Sequence, residues 1–423
     1  MTFPFEIIEH TIPSQHIREW PRATSVSQED VLQIRIKQYR PVDNPHPQPG
    51  DVTVIGAHAN GFPKEVYEPL WADLHAASQE HGFRIRGIWV ADMAHQGQSG
   101  LLNGDRLGDD PSLYDHARDL LHMTNVFCAE MPQPLVGIGH SFGGNALASL
   151  ALMHPRLLSA LVLLDPVIHK SLPTLATAVE MTRLSASRRD TWPSREAAAA
   201  SFRRARHYST WDPRALDAWI EHGIREVPEE GPAGGVRGAA LVTSRHQEVF
   251  TYFRPLYPHV RADGTVDRDG APDFDPAADG PHRTFPFYRA EGPAMLARLP
   301  HVRPAVLWVY GGASGVWWGE TTRTCGTGVD GSGGVAAGRV AEVVLGGRGH
   351  LFPMEVPGLC AEHAAAWVGR AARRHREGER RYRAWAALPT REKTTLSTQY
   401  LQSLGRPAGQ VKKGPGAPAS PKL

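Results

Sequence analysis

Cysteine is scarce: Cys128, Cys325 and Cys360 are the only three in 423 residues. An odd, scattered set signals neither a disulfide scaffold nor a zinc knuckle and fits a reducing compartment. Charge of one sign is also lacking. Lys and Arg number 46 against 44 Asp and Glu, a formal charge of +2, which argues against nucleic acid or an anionic membrane as the main partner. No apolar stretch approaches the roughly 18 residues of a membrane helix, so no membrane span is expected. The opening MTFPFEIIEH carries carboxylates and no continuous apolar run, unlike a secretory leader. With 41% hydrophobic and 21% charged residues, wholesale disorder is excluded and a sizeable core can form. The length suits roughly two to three average domains, or one large domain with insertions. The expectation is a soluble, intracellular protein.

The first 165 residues alternate strand-like and helix-like segments. FEIIEHTI and VLQIRIKQYR alternate apolar and polar residues with a period near two, as in paired antiparallel strands. DVTVIGAH, RIRGIWVAD, PLVGIGH and LSALVLLD are short and mostly apolar, as strands buried on both faces are. Helical patterns separate them, over about 64–80, 113–127 and 144–154. This rhythm predicts an α/β fold with a mostly parallel sheet covered by helices on both faces.

After Asp165 the rhythm breaks, and it returns at PAVLWVYGG and AEVVLGG, followed by the helix CAEHAAAWVGRAARRH. Residues 1–166 and 302–370 are therefore expected to form one core, with a helical lid, 167–301, inserted between its sixth and seventh strands. Within the insertion, RADGTVDRDGAPDFDPAADGPHR reads as a mobile loop. It is a poor calcium loop, because its glycine falls at the wrong offset after Asp267 and Asp269 and no Glu closes it. Residues 371–423 read as a basic, then Gly/Pro-rich tail, its last forty or so residues largely extended.

Gly139-His140-Ser141-Phe142-Gly143 is a GxSxG pentapeptide, which carries little by itself in a chain with 42 glycines. Its context carries more. It follows the apolar run 134–138 and precedes the small-residue run 144–150, so Ser141 sits on a strand–turn–helix elbow that lifts a nucleophile above the sheet. A nucleophilic serine needs amide donors for the oxyanion. One is the residue after it, Phe142; the other comes from the loop after the third strand, His58–Pro63, where the Phe62 amide is the candidate. Asp92–Ser99, after the fourth strand, reads as a structural turn near the elbow. His350, in GHLFPMEVP after the last strand, is placed to take and return the proton near neutral pH.

These four motifs, in this order, resemble the α/β-hydrolase superfamily over roughly residues 1–370. HANGFPKE, GHSFGGNALASLALMHP, LVLLDPVI and TGVDGSGGVAAGRVAEVVLGGRGHLFPMEVP resemble its fungal peroxisomal branch, which includes a peroxisomal lipase and hydrolases of toxin biosynthesis. The resemblance implies the α/β-hydrolase fold and a Ser/His/acid hydrolase acting on an acyl substrate, a carboxylic ester or thioester, with no metal and no organic cofactor.

One departure concerns the acid. Many relatives carry an Asp just after the seventh strand, where this chain reads Val309-Tyr310-Gly311-Gly312-Ala313-Ser314. Asp165, at the end of the sixth strand, is the nearest alternative; it could equally be a structural turn residue, and Glu320 is a further candidate. The acid orients the imidazole and stabilises imidazolium. With Ser141 as nucleophile, the expected catalytic set is Ser141, His350 and Asp165, with Phe142 and Phe62 as the oxyanion hole.

The insertion is expected to cover Ser141 and select the substrate. Phe250, Tyr252, Phe253, Phe285, Phe287 and Tyr288, with Trp317 and Trp318, either line an acyl pocket or form the insertion's own core. Two other activities use the same residues or none: acyl transfer to an alcohol or thiol, and ligand binding without turnover, which the missing acid after strand seven favours. The terminal Pro421-Lys422-Leu423 keeps two positions of the SKL peroxisomal address. It predicts recognition by a peroxisomal import receptor, with the cytoplasm as the alternative location.

Overall fold

The computed structural model describes residues 3–170, 176–228, 236–276, 286–315 and 321–405. The chain divides into two compact units, Met1–Arg373 and Arg374–Leu423. Among the described residues, the first unit holds thirteen strands: β1 (Phe5–Pro13), β2 (Gln33–Pro41), β3 (Val52–Ala57), β4 (Ile85–Ala91), β5 (Leu135–His140), β6 (Leu158–Leu164), β7 (Thr191–Trp192), β8 (Ile224–Pro228), β9 (Val236–Leu241), β10 (Arg254–Pro255), β11 (Phe287–Tyr288), β12 (Ala305–Gly311) and β13 (Val340–Leu345).

Eight of them form one sheet in the order β1-β2-β4-β3-β5-β6-β12-β13. β1 and β2 pair antiparallel, Ile12 opposite Ile34, and β2 pairs antiparallel with β4; every later neighbour is parallel. This is the α/β-hydrolase fold, and the predicted core strands are all present. Their apolar runs follow from burial on both sides. In β6, Ala160, Val162 and Leu164 join one core while Leu161 and Leu163 join the other; in β12, Leu307 and Val309 face one side, Trp308 and Tyr310 the opposite. Truncating a side chain such as Leu161 to Ala would cost about 2–5 kcal/mol. The edge strands β1 and β13 instead bury only two residues each, the rest being half-buried or exposed.

The insertion between β6 and β12 is not wholly helical, contrary to the sequence expectation. β7, β9 and β8 form a small sheet and β10 pairs with β11. The missed strands are two to six residues long, too short to show a period. The Asp/Gly-rich stretch, as far as it is described, closes on itself: Val260 bridges Val266, and Ala271 and Phe274 pack with Leu256 and Tyr288.

A second correction concerns the start of the tail, as far as residue 405. In place of an extended tail, helix Pro357–Ala386 continues through the segment REGERRYRAWA, and short helices follow at Thr390–Thr394 and Thr398–Leu404. Arg, Glu and Ala are good helix formers, and no proline intervenes before Pro389. The Gly/Pro-rich end and Pro421-Lys422-Leu423 lie outside the described residues, as do Phe285, Trp317, Trp318 and Glu320. Among the described residues no helix is long and apolar enough to cross a membrane.

Candidate active site

β5 ends at His140, and the helix Phe142–Met153 starts two residues later. Ser141 occupies the turn between them with φ 56° and ψ −118°, a conformation that non-glycine residues avoid. The turn closes only around glycines. A Cβ on Gly139 would stand 2.7 Å from the Gly143 carbonyl oxygen, and one on Gly143 would overlap the Ala57 carbonyl. The helix then runs on small residues, FGGNALASLALM, so it packs closely behind the sheet.

Ser141 Oγ lies 2.9 Å from His350 Nε2, and His350 Nδ1 lies 2.6 Å from Asp165 Oδ2. The three side chains come from the ends of β5 and β6 and the loop after β13. Asp165 is fully buried and, like Ser141, has a positive φ, 44°. Its amide donates to Val309 O at 2.7 Å, which fixes it against β12. The carboxylate that His350 faces is therefore Asp165, one of the two candidates read from the sequence.

Sequence reasoning missed Ser314, whose hydroxyl donates to the same Asp165 Oδ2. It stands in the segment after β12 where relatives are expected to carry an Asp. His140 and Tyr67 were also missed. His140 is flanked by Tyr67 Oη at 2.7 Å and the His350 carbonyl at 2.9 Å. Burial holds its imidazole well below the usual histidine range.

The Phe142 amide opens the helix, where the first N–H groups lack intrahelical acceptors. The Phe62 amide donates to Ala59 O at a long 3.3 Å, and Gly61 N–H donates to Gln96 Oε1 at 2.8 Å. The Asp92–Ser99 turn is scaffold in its contacts. Asp92 Oδ2 accepts from Lys64 Nζ at 2.8 Å and from the Gln98 amide, and His95 pairs with Thr251 Oγ1 at 2.8 Å. Burial pushes the His95 imidazole down to about 3, so it is neutral.

The insertion reaches these loops at several points. Tyr252 sets its ring edge-on to Phe142 at 5.9 Å, Trp219 lies 5.4 Å from Phe62, and Asn60 Nδ2 donates to Glu248 O. The other predicted pocket aromatics divide differently. Phe253 and Phe287 face each other at 6.4 Å, and Tyr288 is buried in the insertion's own cluster, bonded to Asp273. Phe250 is half-buried, and its carbonyl accepts from Arg289.

Comparison with known proteins fits this geometry. Residues 77–219 match the Hydrolase_4 family, described as serine aminopeptidase S33. The chain is 40% identical over 404 residues to a type I acyl-CoA thioesterase, mpaH, of Penicillium roqueforti, covering 89% of this chain and 90% of that one. It is 41% identical to mpaH' of Penicillium brevicompactum, covering 90% and 92%. Among solved structures, the peroxisomal α/β-hydrolase Lpx1 of Saccharomyces cerevisiae superposes with a TM-score of 0.64 at 16% identity over 95% of each chain, a likeness of fold. The chain belongs to the α/β-hydrolase superfamily and is a hydrolase.

Proposed function

We propose that this chain cleaves an acyl thioester, of lipid-like or secondary-metabolite character, through an acyl-enzyme on Ser141. The observation that carries the reading is the continuous hydrogen-bonded chain from Ser141 Oγ through His350 to Asp165, 2.9 and 2.6 Å long. His350 Nε2 takes the Ser141 proton as Oγ attacks the acyl carbon. Asp165 keeps the remaining N–H on Nδ1 and stabilises the imidazolium. The tetrahedral oxyanion accepts from the amides of Phe142 and Phe62. The first sits at a helix N-terminus, which favours negative charge, and the second makes a bond to Ala59 long enough for a charged oxygen to displace. Collapse expels the thiolate, His350 returns the proton, and water repeats the attack to free the acid.

The thioester is preferred over an oxygen ester because relatives at about 40% identity over nine-tenths of their length are named acyl-CoA thioesterases. The insertion 167–301 serves as the lid that selects the acyl group; Tyr252 against Phe142 and Trp219 against Phe62 support this. The peroxisome is the proposed location, on the strength of the Lys422-Leu423 terminus alone.

A panel of acyl-CoAs and matched oxygen esters, run on wild type and Ser141→Ala, tests the reading. Thioesters should turn over fastest, and Ser141→Ala should lose all but a trace while keeping its circular dichroism. A serine-reactive phosphonate should label Ser141, which a non-turnover binding protein would not require. Adding an alcohol or thiol acceptor separates hydrolysis from acyl transfer by product. More than a few per cent of wild-type rate in Ser141→Ala would remove the assigned nucleophile.

A further inference from the structure

Three loops must keep register for this chemistry: the Ala59–Phe62 turn, the elbow at Ser141 and the loop bearing His350. One buried chain of hydrogen bonds joins all three. Ala59 N–H donates to Tyr67 Oη at 3.0 Å, Tyr67 Oη lies 2.7 Å from His140 Nδ1, and His140 Nε2 lies 2.9 Å from the His350 carbonyl oxygen. Tyr67, Ala59 and His140 are each no more than 3% exposed.

The direction of every proton in this chain follows from chemistry. A carbonyl oxygen only accepts, so His140 Nε2 carries a hydrogen. Burial pushes the His140 imidazole well below its usual range, so the ring is neutral and Nδ1 is bare. Nδ1 must then accept, and the donor beside it is the Tyr67 hydroxyl, whose oxygen in turn accepts from Ala59. Each donor has one acceptor. The imidazoles of His140 and His350 also lie 4.9 Å apart, so a change at one is felt at the other.

We infer that Tyr67 and His140 are positioning residues, which tie the oxyanion turn to the nucleophile elbow and hold the His350 backbone so that its ring spans Ser141 and Asp165. Neither touches the substrate. The tie acts on the geometry of the reacting groups, where a misplacement of about 1 Å can cost roughly 100-fold in rate. This inference rests on the acyl-enzyme reading above.

The test compares His140→Leu, His140→Gln and Tyr67→Phe with wild type, on the preferred acyl-CoA. His140→Leu removes both hydrogen bonds. Gln offers one donor and one acceptor at similar spacing, and Tyr67→Phe removes a single oxygen. The expected result is a kcat lower by about 10–100-fold in His140→Leu and Tyr67→Phe with KM within twofold, and substantial recovery in His140→Gln. The rate constant of phosphonate labelling, scaled to titrated active sites, should fall in parallel, which a mere loss of folded protein would not produce. If His140→Leu does not fold, Tyr67→Phe carries the comparison. Ser141→Ala and His350→Ala run alongside. Activity surviving in those two overturns the acyl-enzyme reading and this one together. Dead controls with wild-type kcat per active site in His140→Leu and Tyr67→Phe overturn the positioning role alone.

Discussion

Ser141 and Asp165 both have a positive φ, and backbone hydrogen bonds join the two turns that hold them. Both are non-glycine residues with positive φ, 56° and 44°, at the carboxyl ends of the neighbouring parallel strands β5 and β6. The Ser141 amide donates to Leu164 O at 2.9 Å, and the Val167 amide donates back to Ser141 O at 3.0 Å. Residues held in such conformations cost about 1–3 kcal/mol each and persist where the surroundings over-determine them. Here the two strained turns aim a hydroxyl and a carboxylate at one imidazole.

Asp165→Asn should therefore preserve the fold and lower kcat by roughly 10³–10⁴. An Asn amide can present a donor to His350 Nδ1, which places the ring hydrogen on Nε2 and leaves nothing to take the Ser141 proton. Steady-state kinetics beside a thermal melt check this. Wild-type turnover would return the acid role to another carboxylate, with Glu320→Gln the variant to measure next.

Gly143→Ala should be destabilising, because the new Cβ would overlap the Ala57 and His58 carbonyl oxygens. Backbone cannot yield as a flexible side chain does, so a loss of about 1–3 kcal/mol is expected, and urea unfolding measures it. Gly104→Ala is the control, with open space around the added methyl.

A pH dependence follows from the buried ion network beneath the Asp92 turn. Lys64 Nζ lies 2.8 Å from Asp92 and 3.1 Å from Glu65, and Lys37 lies 3.2 Å from Glu65. Burial by itself would raise the Glu65 pKa, but the cations of Lys64 and Lys37 outweigh it and hold the carboxyl below its ordinary value of 4.5. A depressed carboxylate contributes stability that is present above the unfolded value and lost as pH falls through the folded one. Unfolding midpoints should thus drop as pH is lowered below 4.5. Lys64→Met, which strands buried carboxylates, should cost about 3–5 kcal/mol at pH 7, and the gap to wild type should narrow towards pH 4. A gap constant with pH would mean that the lysine acts through packing.

A fluorescent protein ending in the last ten residues, GAPASPKL preceded by GP, should enter peroxisomes, and removal of Leu423 should leave it cytosolic. Lys422 supplies a charge and Leu423 an apolar anchor for a peroxisomal import receptor. Catalysis should be unaffected by the deletion. A fusion that stays wholly cytosolic, with the full chain doing the same, would place the protein in the cytoplasm.

Much of the site was legible in the sequence because its parts are local. The elbow needs Gly139, Ser141 and Gly143 within five residues between a strand and a helix, and His350 stands in a short motif after the last strand. The elbow signal arises from backbone sterics that neighbouring residues impose on each other, and the His350 signal from its place directly after a core strand. The core strands were legible for a similar reason, since burial on both faces forces continuous apolar runs. What tertiary structure alone decided depends on partners far apart in the chain. By sequence alone Asp165 could equally be a turn residue, and only the folded chain brings it 2.6 Å from His350 Nδ1. Ser314 gained a role only because β12 lies beside β6, and the Tyr67–His140–His350 tie only because three loops converge. The strands of the insertion form through pairings too short to leave a period. A hydrogen bond between remote residues depends on the folded path of the whole chain, and no local pattern of side chains records it.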